Sequence, residues 1–406
     1  MGRKMLQARL LGALGALTVT FGVVAPTWAQ DVKLTLDAAV IRVDAGDELP
    51  LSRLDLPPDN DAFAGAERAT ADNATTGRFL GHAYETRLID TTPEEAVVAV
   101  EGLAGEGVRF FVSLGQADTL LAIADKLAEI APQAIVMNAG ARDDRLRNDD
   151  CRANVFHVVP SRAMLADGLA QYMVWKKWTD WVIVHGSNPA DVAMGEAYQR
   201  AATKFGIEVA GTLVFEDTGR ARRSDSGHVL VQRQVPVFMQ DAADHDVVVV
   251  ADESAYFGSY IPYRTWDARP VVGDAGLEAL SWHPAHESWG ATQLQRRFER
   301  DQSRRMTEHD YDTWVALRVL GEAVTRTNSA DPAEIAAYLR SDAFEIAAFK
   351  GQALTFRPWN QQLRQGVLLA DGKLVVSVSP QEEFLHEKTR LDTLGYDEPE
   401  STCSFN

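Results

Sequence analysis

The sequence contains few cysteines and none of the short motifs that mark several common catalytic sites. Only 2 of its 406 residues are cysteines, Cys151 and Cys403, so the chain is not a small scaffold held together by many disulfides. It has no glycine-rich phosphate loop followed by Lys-Ser/Thr, no Gly-x-Ser-x-Gly turn and no His-Glu-x-x-His pair. These absences argue against a P-loop nucleotide hydrolase, an α/β-hydrolase and a zinc protease of the corresponding kinds.

Positive charge is also in short supply. The chain has 40 Lys and Arg residues against 58 Asp and Glu residues, which gives a formal net charge of -18. Such a balance argues against nucleic acid or an anionic membrane surface as a partner. With 46% hydrophobic residues and 24% charged residues, the composition is typical of a globular protein that is long enough for two domains.

The N-terminus has the features of an export signal. Arg3, Lys4 and Arg9 precede a short apolar stretch at 10–24, and small residues at 27 and 29 fit a cleavage site. We therefore expect residues 1–29 to be removed and the protein to be periplasmic. In an oxidising compartment a Cys151–Cys403 disulfide is plausible, with two free thiols as the alternative.

One stretch predicts the fold class. An apolar run, Val108–Leu114, is followed by helical spacing of apolar residues up to Pro132 and by a second apolar run, Ala134–Met137. Two largely apolar strands around a helix indicate a parallel sheet covered on both faces, in an α/β protein. Ligands of such sheets bind beyond the carboxyl ends of the strands, here near 113–116 and 138–142.

The same strand–helix unit recurs later in the chain, so we predict two α/β lobes with parallel sheets. The later strands are Trp181–Val184, Val209–Phe215, Asp246–Val250 and Val271–Val272. A first crossing between the lobes is placed near 157–160, and helical patterns that resume after residue 291 indicate that the chain returns. The predicted first lobe comprises 30–157 and 283–350, and the second comprises 158–282 and 351–406.

The order of these segments resembles the type I periplasmic solute-binding proteins of the branched-chain amino-acid type that serve ABC importers. The resemblance is carried, in order, by EGVRFFVSLGQADTLLAIA, NAGA, CRANVFHVVPS, WxxWVIV, AYQRAATKFGIEV and DYDTWVALRVLGEAV. It implies two lobes joined by three crossings, a ligand held between them by hinge closure, and a membrane permease as partner. It implies no chemistry on the ligand, hence no enzyme and no catalytic cofactor, and we expect a monomer.

One departure from this family concerns the ligand. Amino-acid binders of the family place Ser or Thr hydroxyls after the third strand, where this chain has Gly-Gln-Ala-Asp at 115–118. The residues available for a cleft are instead aromatic and basic, namely Arg142, Tyr256, Tyr260, Tyr263, Arg264, Trp266, Trp282, Trp289, Tyr311 and Trp314. Aromatic rings and guanidinium groups suit a flat ligand with several carboxylates.

A narrower resemblance points to one such ligand. NAGARDDRLR, PSRAMLADGLAQYM and DYDTWVALRVLGEA are similar to the branch associated with alcohol oxidation that depends on pyrroloquinoline quinone (PQQ), a planar tricarboxylate quinone. We therefore expect PQQ as a bound ligand rather than as a catalytic cofactor. The predicted ligand-binding residues are Ser113, Gln116, Arg142, Glu253, Ser254, Tyr256, Trp266, Asp274, Trp282 and Tyr311.

Other interpretations of these residues stay open. Arg142 could pair with Asp143 or Asp144, the tryptophans could belong to the core, and the acidic run at 252–254 could cap a helix. His283 and His286 do not predict a metal site, because a proline separates them and no further ligand is evident. The alternative functions are binding of a branched-chain amino acid or small amide, and an accessory or enzymatic role beside a quinoprotein dehydrogenase. A further alternative is that the protein senses its ligand and signals to a membrane protein instead of serving transport.

Overall fold

The computed structural model describes residues 32–44, 46, 50–218 and 227–405. The predicted export signal, 1–29, lies outside this range. No helix in the described ranges has the length and apolar character needed to cross a membrane.

The first sheet has five parallel strands in the order β2-β1-β3-β4-β5. Its strands are β1 Leu34–Val43, β2 His82–Thr91, β3 Phe110–Leu114, β4 Ile135–Asn138 and β5 Val155–His157. Every residue of β3, β4 and β5 is buried, because helices cover both faces of the sheet. This arrangement explains why the runs at 108–114 and 134–137 are largely apolar on both faces and do not alternate between apolar and polar residues.

Alternate residues of these strands enter two different hydrophobic cores. Phe110 and Val112 face one core, while Phe111 and Val136 face the other. The second of these cores is completed by α2 Pro93–Gly105 and α3 Ala117–Ile130. The first is completed by α1 Phe63–Leu80, α8 Ala291–Gln302, α9 Glu308–Thr327 and α10 Pro332–Leu339.

Helices α1 and α9 approach each other closely because a glycine lies at their contact. A Cβ added to Gly65 would lie 2.0 Å from the carbonyl oxygen of Asp310. The start of α9 is fixed by a capping box, in which Thr307 and Asp310 each accept a backbone N–H of the other. The close contact therefore fixes the end of α9 that carries Glu308 and Asp312.

The second sheet has four parallel strands in the order β7-β6-β8-β9. These are β6 Asp180–Gly186, β7 Glu208–Phe215, β8 Val247–Ala251 and β9 Val271–Gly273, with helices α4 Arg162–Lys176, α5 Pro189–Phe205, α6 Gly227–Phe238 and α7 Ile261–Arg264. In β8, Val247 and Val249 pack toward α4 and α5, while Val248 and Val250 pack on the opposite face. The predicted α/β class with two parallel sheets is confirmed.

Three chain segments connect the two sets of cores. Val158, Trp282 and Leu363 pack in the first lobe, whereas Met164, Ala279 and Val367 pack in the second. The chain thus crosses at 159–163, at 280–281 and at 364–366. The lobe boundary expected from the sequence, 350/351, lies before this last crossing. Leu354, Phe356 and Leu363 are core residues of the first lobe.

Short antiparallel strands and the C-terminal segment complete the second half of the chain. The strands are β10 Glu278–Leu280, β11 Ile346–Ala347, β12 Ala353–Leu354, β13 Val367–Ala370 and β14 Val375–Ser379, with the order β10-β13-β14 and a separate β11-β12 pair. Near the C-terminus, the sulfur atoms of Cys151 and Cys403 are bonded, with their Cα atoms 5.7 Å apart. The bond joins the loop between β4 and β5 to the end of the chain.

Candidate ligand-binding site between the two lobes

Arg142 lies beyond the carboxyl end of β4, on a loop whose shape is fixed by a buried asparagine. The side chain of Asn138 accepts the N–H groups of Gly140 and Ala141 at 3.2 and 2.9 Å and donates to the Ala141 carbonyl oxygen at 2.8 Å. This loop delivers the Arg142 Nη2 atom to Glu308 Oε2 at a distance of 3.0 Å. The sequence signal Asn-Ala-Gly at 138–140 thus marks the loop that positions the arginine.

The charge of Arg142 is strongly supported by its neighbours. Burial alone would lower the pKa of the guanidinium, but the charges of Glu308, Glu253 and Asp312 outweigh burial and raise it. Glu253 belongs to the second lobe and follows β8, whereas Glu308 and Asp312 belong to α9 of the first lobe. Arg142 therefore lies in the field of carboxylates from both lobes.

A second arginine links the lobes directly. Arg162, the first residue of α4, contacts Glu253 through Nε and through Nη2, the latter at 2.7 Å from Oε2. Its Nη1 atom lies 3.1 Å from a carboxylate oxygen of Asp143, on the Arg142 loop. Ser161 caps α4 by accepting the N–H of Met164. The ion pairs join a loop of the first lobe to a strand end of the second.

Beneath Arg142, carboxylates and a lysine meet at the second crossing. Glu308 Oε1 accepts the N–H and the hydroxyl of Ser281 at 2.5 and 3.0 Å, and the same hydroxyl lies 3.0 Å from Asp312 Oδ2. One hydroxyl proton cannot serve both carboxylates, and burial followed by the Glu308 charge raises the pKa of Asp312 to about 7. Lys350 donates to the carbonyl oxygens of Ser281 and Gly366, and burial lowers its pKa to about 8.

The strand ends of the second lobe contribute further buried carboxyl groups. Asp252 accepts three consecutive backbone N–H groups, those of Tyr256, Phe257 and Gly258. Even so, burial raises the pKa of Asp252 to about 6. Burial and the Glu253 charge raise the pKa of Asp274 well above its usual value, and burial and the Glu308 charge raise the pKa of Glu278 to about 7. Carboxyl groups therefore outnumber basic groups in this region.

The aromatic candidates lie in hydrophobic cores or on the surface of the second lobe. Trp282 and Tyr311 stack with ring centroids 4.7 Å apart inside the first core, and the Tyr311 hydroxyl donates to the Ala348 carbonyl at 2.7 Å. Tyr256 packs against Phe215 in a core of the second lobe. Trp266 is 63% exposed on the second lobe. Lys350 Nζ lies 5.2 Å from the centroid of the Tyr311 ring, so this ring borders the polar residues at the second crossing.

The polar candidates divide in the same way. Arg142, Glu253 and Asp274 are brought together by the electrostatic contacts described above. Ser254 follows Glu253, and its hydroxyl donates to Asp191 Oδ2 at 2.8 Å. Ser113 ends β3 with its hydroxyl buried and without a hydrogen-bond partner among the described residues, and Gln116 is an exposed residue at the N-cap position of α3.

Several residues of the site were not among the predicted ones, namely Asp143, Arg162, Ser281, Glu308, Asp312 and Lys350. Two of them carried a usable signal. Arg162 follows Ser161, the N-cap of α4, at the predicted crossing, and Asp312 lies in the segment DYDTWVALRVLGEAV that carries the family resemblance. Lys350 and Ser281 meet across 69 positions, which a single sequence does not reveal.

Two cavities are lined by residues other than those around Arg142. A cavity of about 530 Å³ lies beneath the C-terminal segment, lined by residues that include Trp359, Arg364 and Asp392. A second, of about 320 Å³, lies between α1 and β2. Within the described ranges, no three or more His, Cys, Asp or Glu side chains are arranged to hold a metal ion.

Comparison with known proteins agrees with this architecture. Residues 58–256 match a family model described as periplasmic binding protein. A branched-chain amino acid ABC transporter periplasmic ligand-binding protein from Burkholderia xenovorans is 15% identical over 91% of this chain and 99% of its own, with a TM-score of 0.70. No curated protein is significantly similar in sequence.

Two further solved structures have the same fold. A Leu-, Ile-, Val-, Thr- and Ala-binding protein from Brucella ovis, in a closed conformation, is 12% identical over 88% of this chain and 98% of its own, with a TM-score of 0.65. A solute-binding protein of an ABC transporter from R. palustris, in complex with benzoate, is 13% identical over 91% and 99%, also with a TM-score of 0.65. The chain therefore has the α/β fold of type I periplasmic binding proteins.

Proposed function

We propose that the protein is a periplasmic solute-binding protein of an ABC importer that holds a small organic carboxylate between its lobes, with Arg142 as the principal contact. One observation carries this proposal: the Arg142 guanidinium lies at the carboxyl end of β4, between Glu308 of its own lobe and Glu253 of the other. It is the position at which ligands of parallel sheets bind. The proposal involves no chemistry on the ligand, and its partner is a membrane permease.

The ligands named for similar proteins are consistent with this chemistry. Benzoate, 4-hydroxybenzoate and leucine are each bound by a protein of the same fold, and each carries a carboxylate. Arg142 makes one hydrogen bond to Glu308, which leaves further guanidinium N–H groups for a second carboxylate. Such pairs are frequently bidentate, which fixes the orientation of the ligand as well as its affinity.

Pyrroloquinoline quinone remains our specific candidate because of the sequence resemblance, although its recognition would differ from the one first expected. Because Trp282 and Tyr311 already stack on each other, we place less weight on stacking of the ligand against these rings. Recognition would depend on Arg142 and Arg162 pairing with its carboxylates. An amino acid is the second candidate, since the carboxyl groups of Glu253 and Asp274 could receive its ammonium group.

Isothermal titration of ligand-stripped protein would test these proposals, with PQQ, benzoate and leucine as separate titrants. Loss of a charge-assisted contact weakens binding by roughly 1.5–3 kcal/mol, so Arg142→Ala should raise Kd by about 10- to 150-fold. Arg142→Lys should lie between Ala and wild type, since it keeps the charge without the bidentate geometry. Arg269→Ala is the matched control, because Arg269 pairs with an exposed Asp244 on the surface.

The outcomes separate the candidates. One-site binding of PQQ that is lost in Arg142→Ala would support both the site and the ligand. Binding of leucine alone would reject PQQ in favour of the amino-acid alternative. If Arg142→Ala binds the accepted ligand within twofold of wild type, the proposed site is wrong. Turnover of PQQ or of an alcohol by the purified protein would contradict a purely binding function.

A further inference from the structure

We propose that residues 385–403, called here the C-terminal segment, form a fourth connection between the lobes, and that the Cys151–Cys403 disulfide limits how far the lobes open. The three crossings at 159–163, 280–281 and 364–366 are continuous chain, whereas this connection is closed by a covalent bond between side chains. The inference concerns regulation of the site proposed above. Its main test, however, is made without ligand and does not depend on which ligand the protein binds.

The C-terminal segment is anchored firmly to the second lobe around Gly395. The Gly395 N–H donates to the fully buried carboxylate of Asp167, on α4, at 2.8 Å. The Gly395 carbonyl oxygen accepts from Lys204 Nζ at 2.8 Å and from Arg200 Nη2 at 2.9 Å, both on α5. The neighbouring Leu394 is fully buried in the core of the second lobe. This end of the connection therefore moves with α4 and α5.

Eight residues further on, the chain is anchored to the first lobe. Cys403 is bonded to Cys151, in the loop between β4 and β5. Two hydroxyl groups reinforce this attachment: Ser401 donates to the Arg147 carbonyl at 3.0 Å and Thr402 donates to Asp149 Oδ1 at 2.6 Å. Since this loop also carries Arg142 and Asp143, the end of the chain is attached to the loop that forms the candidate ligand site.

The attachment point is also hydrogen-bonded to the first crossing and to a residue shortly before the third. Arg147 is 2% exposed, and its guanidinium donates to Gln362 Oε1 at 2.8 Å and to the Val159 carbonyl at 3.0 Å. The carbonyl of Arg147 is the acceptor for the Ser401 hydroxyl. A pull on the end of the C-terminal segment is therefore transmitted to the segments about which the lobes must rotate.

The length of the connection makes it an effective limit. Residues 396–402 link the two anchors, and part of this link is coiled, because Asp397 and Glu400 form a capping box around a short turn at Glu398–Glu400. An extended chain spans at most about 3.5 Å per residue, so a wide separation of the lobes must first unwind this turn. Arg357 of the first lobe also donates to the carbonyl oxygens of Leu394 and Tyr396. These contacts are non-covalent and can break as the lobes separate, whereas the disulfide cannot.

Distance measurement in the ligand-free protein tests the proposal. Spin labels on unnatural amino acids at exposed Ala122 of α3 and exposed Ser259 after β8 report the separation of the lobes without touching the cysteines. Wild type is compared with the Cys151→Ala/Cys403→Ala variant and with a variant that keeps the disulfide but has four Gly/Ser residues inserted between Glu400 and Ser401. The insertion is the decisive variant, because it lengthens the connection while leaving both anchors and the loop intact.

The expected result is that both variants shift the distance distribution to longer values by several ångströms, at a temperature at which each remains folded. If only the cysteine variant shifts the distance distribution, the disulfide acts by stabilising the 142–152 loop. The proposal that the C-terminal segment limits opening is then wrong. If neither shifts, the disulfide has no influence on opening. Titration with the accepted ligand is a separate readout: weaker binding in both variants is expected, but failure of all variants to bind would refute the proposed function and not this connection.

Discussion

Asp392 is the residue whose substitution tests the packing of the hinge region most directly. Its carboxylate is 3% exposed and is shared by two buried arginines, with Oδ1 at 2.9 Å from Arg357 Nε and at 2.8 Å from Arg364 Nε. Arg364 also reaches Oδ2 at 3.1 Å. Substitution by alanine removes three charge-assisted hydrogen bonds and leaves two buried guanidinium groups without a counter-charge.

Removing one partner from a buried ion pair typically destabilises a protein by about 3–5 kcal/mol, because the remaining charge stays desolvated. For a lobe of this size, such a loss lowers Tm by roughly 10 °C. Asp392→Asn should lower Tm by less, since its amide oxygen can still accept a hydrogen bond. Asp244→Ala provides the control, because Asp244 is 97% exposed in its pair with Arg269 and should contribute well under 1 kcal/mol.

The pH dependence gives an independent check of the same interaction. Burial would raise the pKa of Asp392, but the hydrogen bond from Arg364 and the charges of both arginines lower it. A carboxyl group with a lowered pKa stabilises the fold above its unfolded pKa of about 3.9 and loses that contribution as the pH falls further. The Tm difference between wild type and Asp392→Ala should therefore shrink below pH 4. A difference under about 2 °C at pH 7 would refute the argument.

Two further substitutions test other parts of the fold. Gly65→Ala should destabilise the protein by about 1–3 kcal/mol, because its Cβ would meet the Asp310 backbone at the α1–α9 contact. Gly102→Ala, in open space on α2, should stabilise the protein by up to about 1 kcal/mol. Equal Tm values for the two variants would contradict this reasoning. His157 is buried, and burial followed by the Arg147 charge holds its pKa well below the usual value, so its contribution is lost as the pH falls below about 6.5. Urea unfolding should show the stability difference between wild type and His157→Gln falling by about 2 kcal/mol from pH 7 to pH 5, and a constant difference would count against a neutral buried histidine.

The fold was largely predictable because its signals are local. Largely apolar runs at β3, β4 and β8 predict strands covered on both faces, and Pro93 and Pro332 begin α2 and α10, where proline is tolerated. The third crossing was placed too early, since the apolar residues Leu354 and Phe356 look the same in sequence whichever core receives them. The core that a short strand joins depends on contacts between residues far apart in the chain.

The candidate site was less predictable for the same physical reason. A tryptophan or tyrosine near a strand end can line a cleft or pack in a core, and the sequence looks the same in both cases. Here Trp282 and Tyr311 stack on each other in the first core. Charged residues offer a better criterion, because burying an arginine such as Arg162 requires carboxylates to surround it. Around Arg142, Arg162 and Glu253, charged side chains from both lobes lie partly buried. Such an arrangement contributes little to stability by itself, which favours a role in binding a charged ligand over a role in holding the lobes together.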